Sequence, residues 1–162
     1  MKKINLILAV ALATSLFTVS CKKETKTETV YVDNTPAPGP PSLYTRLGGI
    51  NPITAVVDKF IGNCATNSFI GPRFSATAAD SYRLQFFRYN LIDQVCAGSG
   101  GPCQYKGQTM LAAHTGMNIT GAEFDTLVVQ LVKAMNFYNV PAQEQGDLAA
   151  ILLPMKTDIV GH

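Results

Sequence analysis

An all-helical domain is the fold class the sequence predicts for residues 42–162, and three observations predict it. Apolar residues recur at i, i+3 and i+4 through several long segments, whereas alternating, strand-like runs are scarce. Helix punctuation falls between those segments: Pro52 and Pro141 near starts, Gly48-Gly49 and Gly100-Gly101 at junctions, and Thr120 three residues before Glu123. The chain is 47% hydrophobic and only 15% charged over 162 residues, enough apolar material to surround a core or a cofactor.

Taken in order, Leu43 to Leu47 reads as a short helix ended by Gly48-Gly49. Asn51 is placed as the cap of a second helix with Pro52 at its first position, where a missing N–H costs nothing. Ile53, Val56, Val57, Phe60, Ile61 and Cys64 form its apolar face. Asn67 to Phe74, with Gly71-Pro72, reads as a connector. A third long helix is expected from about Asp80 to Ala97, with Leu84, Phe87, Leu91 and Val95 on its inner stripe, widened by Phe86. A tight turn at 96–103 leads to a short helix carrying His114. Thr120 and Glu123 make a capping box for a helix reaching about Asn139, with Phe124, Leu127, Val128, Leu131, Val132 and Met135 inside. Pro141 starts a last helix holding Leu148, Ile151, Leu152 and Ile159, which Pro154 is expected to kink.

Two segments precede this domain. Residues 1–20 have the form of an export signal: Lys2 and Lys3, then an apolar run from Leu6 to Val19, short for a bilayer span of about 20 residues. The run ends at Ser20-Cys21, which resembles a bacterial lipoprotein cleavage site with Cys21 as the acylated N-terminus. Thr18 departs from that pattern, which usually has Leu there, and an ordinary secretory signal cut nearby is the alternative. Residues 21–41 read as a tether: alternating charge and threonine, then Pro36, Pro38, Gly39, Pro40 and Pro41. The expected location is the bacterial cell envelope, lipid-anchored on a periplasmic or outer-membrane face. From Ser42 onward the charges balance, and the net +2 comes entirely from the signal and tether. No basic face argues for nucleic acid.

Export also bears on the cysteines. Cys96 and Cys103 flank a compact turn, and an oxidising compartment would let them pair. Such a disulfide contributes roughly 2–2.5 kcal/mol on the chain-entropy account. Cys64, on the second helix's stripe, is read as a small buried hydrophobe. No Ser-His-Asp set, zinc knuckle or phosphate-binding glycine loop is present. The chemistry-bearing residue is His114, one of two histidines. A neutral imidazole nitrogen ligates metals, and a single proximal histidine is how globins hold haem iron.

The residues around His114 carry a resemblance. Gly100-Gly101-Pro102, Tyr105-Lys106-Gly107, Met110 four residues before His114, and Gly116 and Ile119 two and five after it are similar to one stretch of the group I truncated haemoglobins. Leu43-Tyr44-x-Arg46-Leu47-Gly48-Gly49 resembles the start of that family, and Phe74 falls at its haem-stacking phenylalanine. The absence of Trp fits group I better than groups II and III, which carry one in the distal wall. The likeness covers about Ser42 to Val160 and implies a two-over-two helical sandwich around one haem b, with His114 as the proximal iron ligand. It implies a haem pocket drawn from Ile61, Phe74, Phe87, Leu91, Tyr105, Met110, Ile119 and Phe124, with Arg88, Lys106 and Tyr105 as candidate propionate partners.

This chain departs from the family on the distal side. Ile61 stands where a Tyr is common, Leu91 where a Gln is common, and Asn90 where some relatives have a second histidine. The segment between Phe74 and the third long helix is about five residues longer than usual. Tyr82 or Tyr89 would supply a donor only in a shifted register; both read as surface tyrosines, and His162 reads as a frayed end. The implied function is reversible binding of a diatomic gas, O₂, NO or CO. The enzymatic alternative, nitric-oxide dioxygenation or peroxide chemistry, leans on the missing distal Tyr and needs a reductase. A haem carrier or haem-free globin module is the second alternative.

Overall fold

The computed structural model describes residues 39–162; the export signal, Cys21 and the tether up to residue 38 lie outside the described residues. Eight α-helices follow in order: α1 (Leu43–Arg46), α2 (Ile50–Thr66), α3 (Gly71–Ala78), α4 (Ser81–Gly98), α5 (Met110–His114), α6 (Gly121–Phe137), α7 (Ala142–Leu152) and α8 (Lys156–Ile159). A 3₁₀ turn at Leu153–Met155 carries Pro154 and separates α7 from α8, the break that proline imposes. There is no strand among the described residues, only an isolated parallel bridge between Ile119 and Val160.

The long helices pack around α2. α2 lies against both α4 and α6. Phe60, Cys64 and Ile70 meet Ala134 of α6 in one buried cluster, and Ile53 and Val57 meet Ile92 of α4 in another. Leu43, Met135 and Leu148 tie α1, α6 and α7 together. At the surface Arg46 bridges α1 to α7, donating to Glu144 at 3.0 Å and to Asp147. This is the two-over-two arrangement.

The helix starts show which signals decide. Thr120 and Glu123 cap α6 reciprocally, and Asp80 caps α4 by accepting from the N–H groups of Tyr82 and Arg83. Asn51 does not cap α2. That helix begins two residues earlier than expected, at Ile50 behind Gly49 at φ 84°, a left-handed turn that glycine makes without strain, and Pro52 sits inside the first turn. The second half of the expected connector at 67–74 is already helix: the Asn67 side chain accepts from the N–H groups of Phe69 and Ile70 at 3.0 and 3.1 Å, turning the chain into α3. Phe86 is not part of the α4 inner face; it is exposed, while Ile92 and Cys96 take the buried places. Val132 of α6 is also exposed, and Gln130 and Ala134 are buried.

Three tertiary ties hold the segment around His114. Cys96 and Cys103 are joined as a disulfide with Cα atoms 5.7 Å apart, closing the turn after α4. Gly101 lies inside that turn, where a Cβ would stand 2.7 Å from the Cys96 sulfur and 2.5 Å from the Tyr44 ring. Arg73 of α3 donates to the Met117 carbonyl at 2.9 Å and to both carboxylate oxygens of Glu123 at 2.7 and 3.2 Å. The C-terminus is not frayed: Asn118 N–H donates to the His162 carbonyl at 2.6 Å and Gly161 N–H to the Ile119 carbonyl at 2.9 Å.

The second tie has a pH signature. The Arg73 guanidinium, joined by the backbone N–H and hydroxyl of Thr120, holds the Glu123 carboxyl down at about 2 from an ordinary 4.5. A carboxyl depressed on folding stabilises the native state fully above its unfolded value and loses that contribution as pH falls through the folded one. Glu123→Gln is therefore expected to be less stable than the wild type at neutral pH. The difference should close as the pH drops from about 4.5 to about 2. Urea melts of both proteins across that window check it, and a difference independent of pH would contradict it.

Candidate functional site

His114 ends α5, a five-residue helix capped by Thr109, whose side chain accepts the Ala112 N–H at 3.3 Å. Its imidazole is half-buried and its Nδ1 lies 2.7 Å from the Met110 carbonyl oxygen one turn back. A carbonyl can only accept, so this contact requires the proton on Nδ1 and leaves the Nε2 lone pair free. A backbone carbonyl behind a ligating histidine fixes both tautomer and ring orientation.

α4 faces this histidine helix. Phe87, Leu91 and Gln94 stand at i, i+4 and i+7 on one stripe. At the lower end of the stripe the Gln94 amide nitrogen reaches across to the sulfurs of Met110 and Met155, each at 3.4 Å. At the upper end Phe87 meets Phe74 of α3, ring centroids 5.9 Å apart and tilted by 48°. Ile61 of α2 packs with Leu91 against the buried clusters of Phe60 and Ile92. The structure thus groups Ile61, Phe74, Phe87 and Leu91, and separately Met110 and His114, with Gln94 of α4 reaching from the first group to Met110.

The remaining candidates are placed as follows. Phe124 is buried on α6 under the Lys156 ammonium, 5.4 Å from its ring centre. Ile119 is half-buried and carries the bridge to Val160. Tyr105 is half-buried; its hydroxyl donates to the Gln108 carbonyl at 2.8 Å, and burial pushes its phenol upward. Arg88, a candidate propionate partner, is paired with Asp58 at 2.8 Å through one of its nitrogens. Tyr82 and Tyr89 are both exposed, as surface tyrosines. Gln94 is the residue that sequence reasoning missed, a polar side chain one turn beyond Leu91. Its signal was its place at i+7 from Phe87.

Two cavities border α2, one of them lined by Phe74. One of about 450 Å³ is walled by Val57, Val95, Leu131 and Met135, and one of about 410 Å³ sits between α2 and α3 beside Phe74. Neither is lined by His114, so the chemistry is located by the donor atom and not by cavity size.

The family model of the bacterial-like globins matches residues 42–160, the whole helical domain. The chain belongs to the bacterial-like globins. Among its relatives, a group 1 truncated hemoglobin of Nostoc sp. is 31% identical over 103 residues, 64% of this chain and 83% of that protein. One from Tetrahymena pyriformis is 27% identical over 122 residues, 75% of this chain and 97% of its own length. The crystal structure of the Tetrahymena pyriformis truncated hemoglobin in its Fe(III) form superposes with a TM-score of 0.68 at 24% identity, over 75% of this chain and all of that one. The 2/2 hemoglobin from Synechococcus in the cyanomet state, with covalently attached heme, gives 0.67 at 23% identity and 75% coverage of this chain. This globin therefore shares the truncated, two-over-two fold. Haem is the cofactor that the family implies.

Proposed function

We propose that this globin holds one haem b through His114 and reversibly binds a diatomic gas on the side lined by Ile61, Phe87 and Leu91. We further propose that it does so at the bacterial envelope, anchored by lipid on Cys21. The observation that carries the haem reading is the His114 Nδ1 to Met110 carbonyl contact of 2.7 Å, which presents Nε2 as a neutral ligand. The donor set fits the group. Among the described residues no three His, Cys, Asp or Glu side chains converge to hold a bare metal ion. A single imidazole is the set that suits an iron whose other in-plane ligands come with its macrocycle. When bound, haem supplies an iron site at which a diatomic gas can coordinate.

The chain's own residues then set what that site favours. Leu91, Phe87 and Ile61 exclude water and offer packing without a proton to donate. Gln94 is drawn toward Met110 and Met155, on the His114 side. Purified protein is expected to show a Soret band in ferric and ferrous states and to shift on adding CO. A colourless protein that does not take up added haemin would leave only the haem-free alternative.

The envelope reading rests on the apolar run ending at Ser20-Cys21 and on the polar tether after it. Among the described residues no helix is long and apolar enough to cross a membrane. Cys21→Ser is expected to release the protein from the membrane fraction and to abolish acyl labelling. An unmodified N-terminus by mass spectrometry, with Cys21 removed or free, would defeat the reading.

A further inference from the structure

α4 has a second stripe. Tyr82, Phe86 and Tyr89 stand at i, i+4 and i+7, opposite Phe87, Leu91 and Gln94, and are 88%, 68% and 51% exposed. Single exposed apolar residues need no explanation, but three aromatic rings on successive turns of one helix do. The ring edges are serviced laterally: Gln85 donates to the Tyr89 hydroxyl at 2.6 Å, and the Arg88 guanidinium sits 5.8 Å from the Tyr89 ring centre while paired with Asp58. Phe137, the other strongly exposed phenylalanine of a long helix, is treated differently. Lys59 lies 4.5 Å over its face, and Tyr138 meets it edge-on at 5.0 Å. The α4 stripe is the larger of these two exposed aromatic surfaces, three rings along one helix face.

We propose that this stripe docks against the headgroup layer of the membrane to which Cys21 is attached, a proposal that rests on the lipid-anchor reading above. Tyr82 and Tyr89, apolar bodies with polar tips, are side chains of the kind that settle at a membrane–water interface, and Phe86 between them adds apolar area. The length of chain outside the structure supplies the occupant. Between Cys21 and Ser42 the backbone spans at most about 60–70 Å, so an anchored domain remains in reach of the bilayer. The domain begins beside the far end of α4, where Tyr44 N–H donates to the Ser99 carbonyl at 2.8 Å. The stripe begins one helix length away, about 27 Å for 18 residues. Tethering of this kind gives an effective concentration on the order of mM, at which a small face without net charge suffices. Docking there covers none of Phe87, Leu91 or Gln94.

The test uses the mature, acylated, haem-loaded chain on phosphatidylethanolamine–phosphatidylglycerol vesicles that carry a diazirine in the acyl chain. After irradiation, lipid adducts mapped by mass spectrometry are expected in Tyr82–Tyr89, several-fold above those in Val129–Tyr138. The triple variant Tyr82→Ser, Phe86→Ser, Tyr89→Ser should keep its Soret band and its flotation with the vesicles but lose the adducts. Equal labelling of both segments, or none in Tyr82–Tyr89, overturns the docking whether or not the protein floats. Linkage of that segment to a second copy of the chain overturns it as well. The anchor is read separately, from the acyl mass on Cys21. An unacylated Cys21 with adducts still at Tyr82–Tyr89 in excess vesicles overturns the anchor alone.

Discussion

His114→Ala is expected to abolish stoichiometric haem retention. The substitution removes the one nitrogen that the Met110 carbonyl orients, and leaves only apolar contacts and packing to hold the group. A hundredfold fall in affinity corresponds to about 2.7 kcal/mol. Because ligand binding stabilises the native state by mass action, the variant should also melt earlier than the haem-loaded wild type. The vacated space is bounded by Met110 and the α5 backbone, so added imidazole should enter it and restore part of the Soret intensity. The measurements are haem content per chain and the ferrous spectrum, with and without imidazole. A variant unchanged in both would mean that another residue holds the iron.

Ile61→Tyr is expected to slow O₂ release at least severalfold while leaving CO binding comparatively unchanged. Bound O₂ carries partial negative charge and gains from a donor; CO gains much less. A donor worth about 1.4 kcal/mol is a tenfold change in affinity. In the wild type, Ile61, Phe87 and Leu91 offer none, so O₂ should leave quickly and the ferrous protein should oxidise readily in air. Tyr is larger than Ile at a half-buried site packed against Leu91, and overpacking costs about 1–3 kcal/mol of stability. Ile61→Phe brings the bulk without the hydroxyl, so the difference between the two variants isolates the donor. Stopped-flow O₂ dissociation on all three proteins is the test. Wild-type release as slow as that of the Tyr variant would show that a donor is already present, with Gln94 the first side chain to substitute next.

Fold and site were legible in the sequence to different depths, for identifiable reasons. The capping box of α6 declared itself: Thr120 with Glu123 is a local device whose spacing is its function, whereas Asp80 was placed inside α4 and caps it instead. The start of α2 misled because Gly49 makes that turn through its backbone, whereas Asn51 beside it looks like a cap. α3 was hidden because it buries no residue fully and is held by Asn67 and by Arg73's reach to Glu123, contacts that exist only in three dimensions. Phe86 was assigned inward because α4 has apolar residues on two opposite faces, and periodicity alone cannot say which one meets the core. Met110 and His114 were legible as a pair because i and i+4 share a helix face. Their hydrogen bond, and Gln94's approach to Met110, depend on where α4 passes α5. His162 looked free for the same reason, since its partner Asn118 lies 44 positions earlier.

That last contact makes Gly161 and His162 part of the scaffold around His114. The corner after His114 is pinned by backbone atoms of Gly161 and His162, so a purification tag fused there would pull on the proximal loop, and carboxypeptidase trimming would loosen it. Handles for purification or immobilisation belong on exposed surface such as Gly146 in α7, where a Cβ meets nothing within 4 Å. For any spectroscopic comparison of variants, an untagged C-terminus is the condition under which differences can be assigned to the substituted residue.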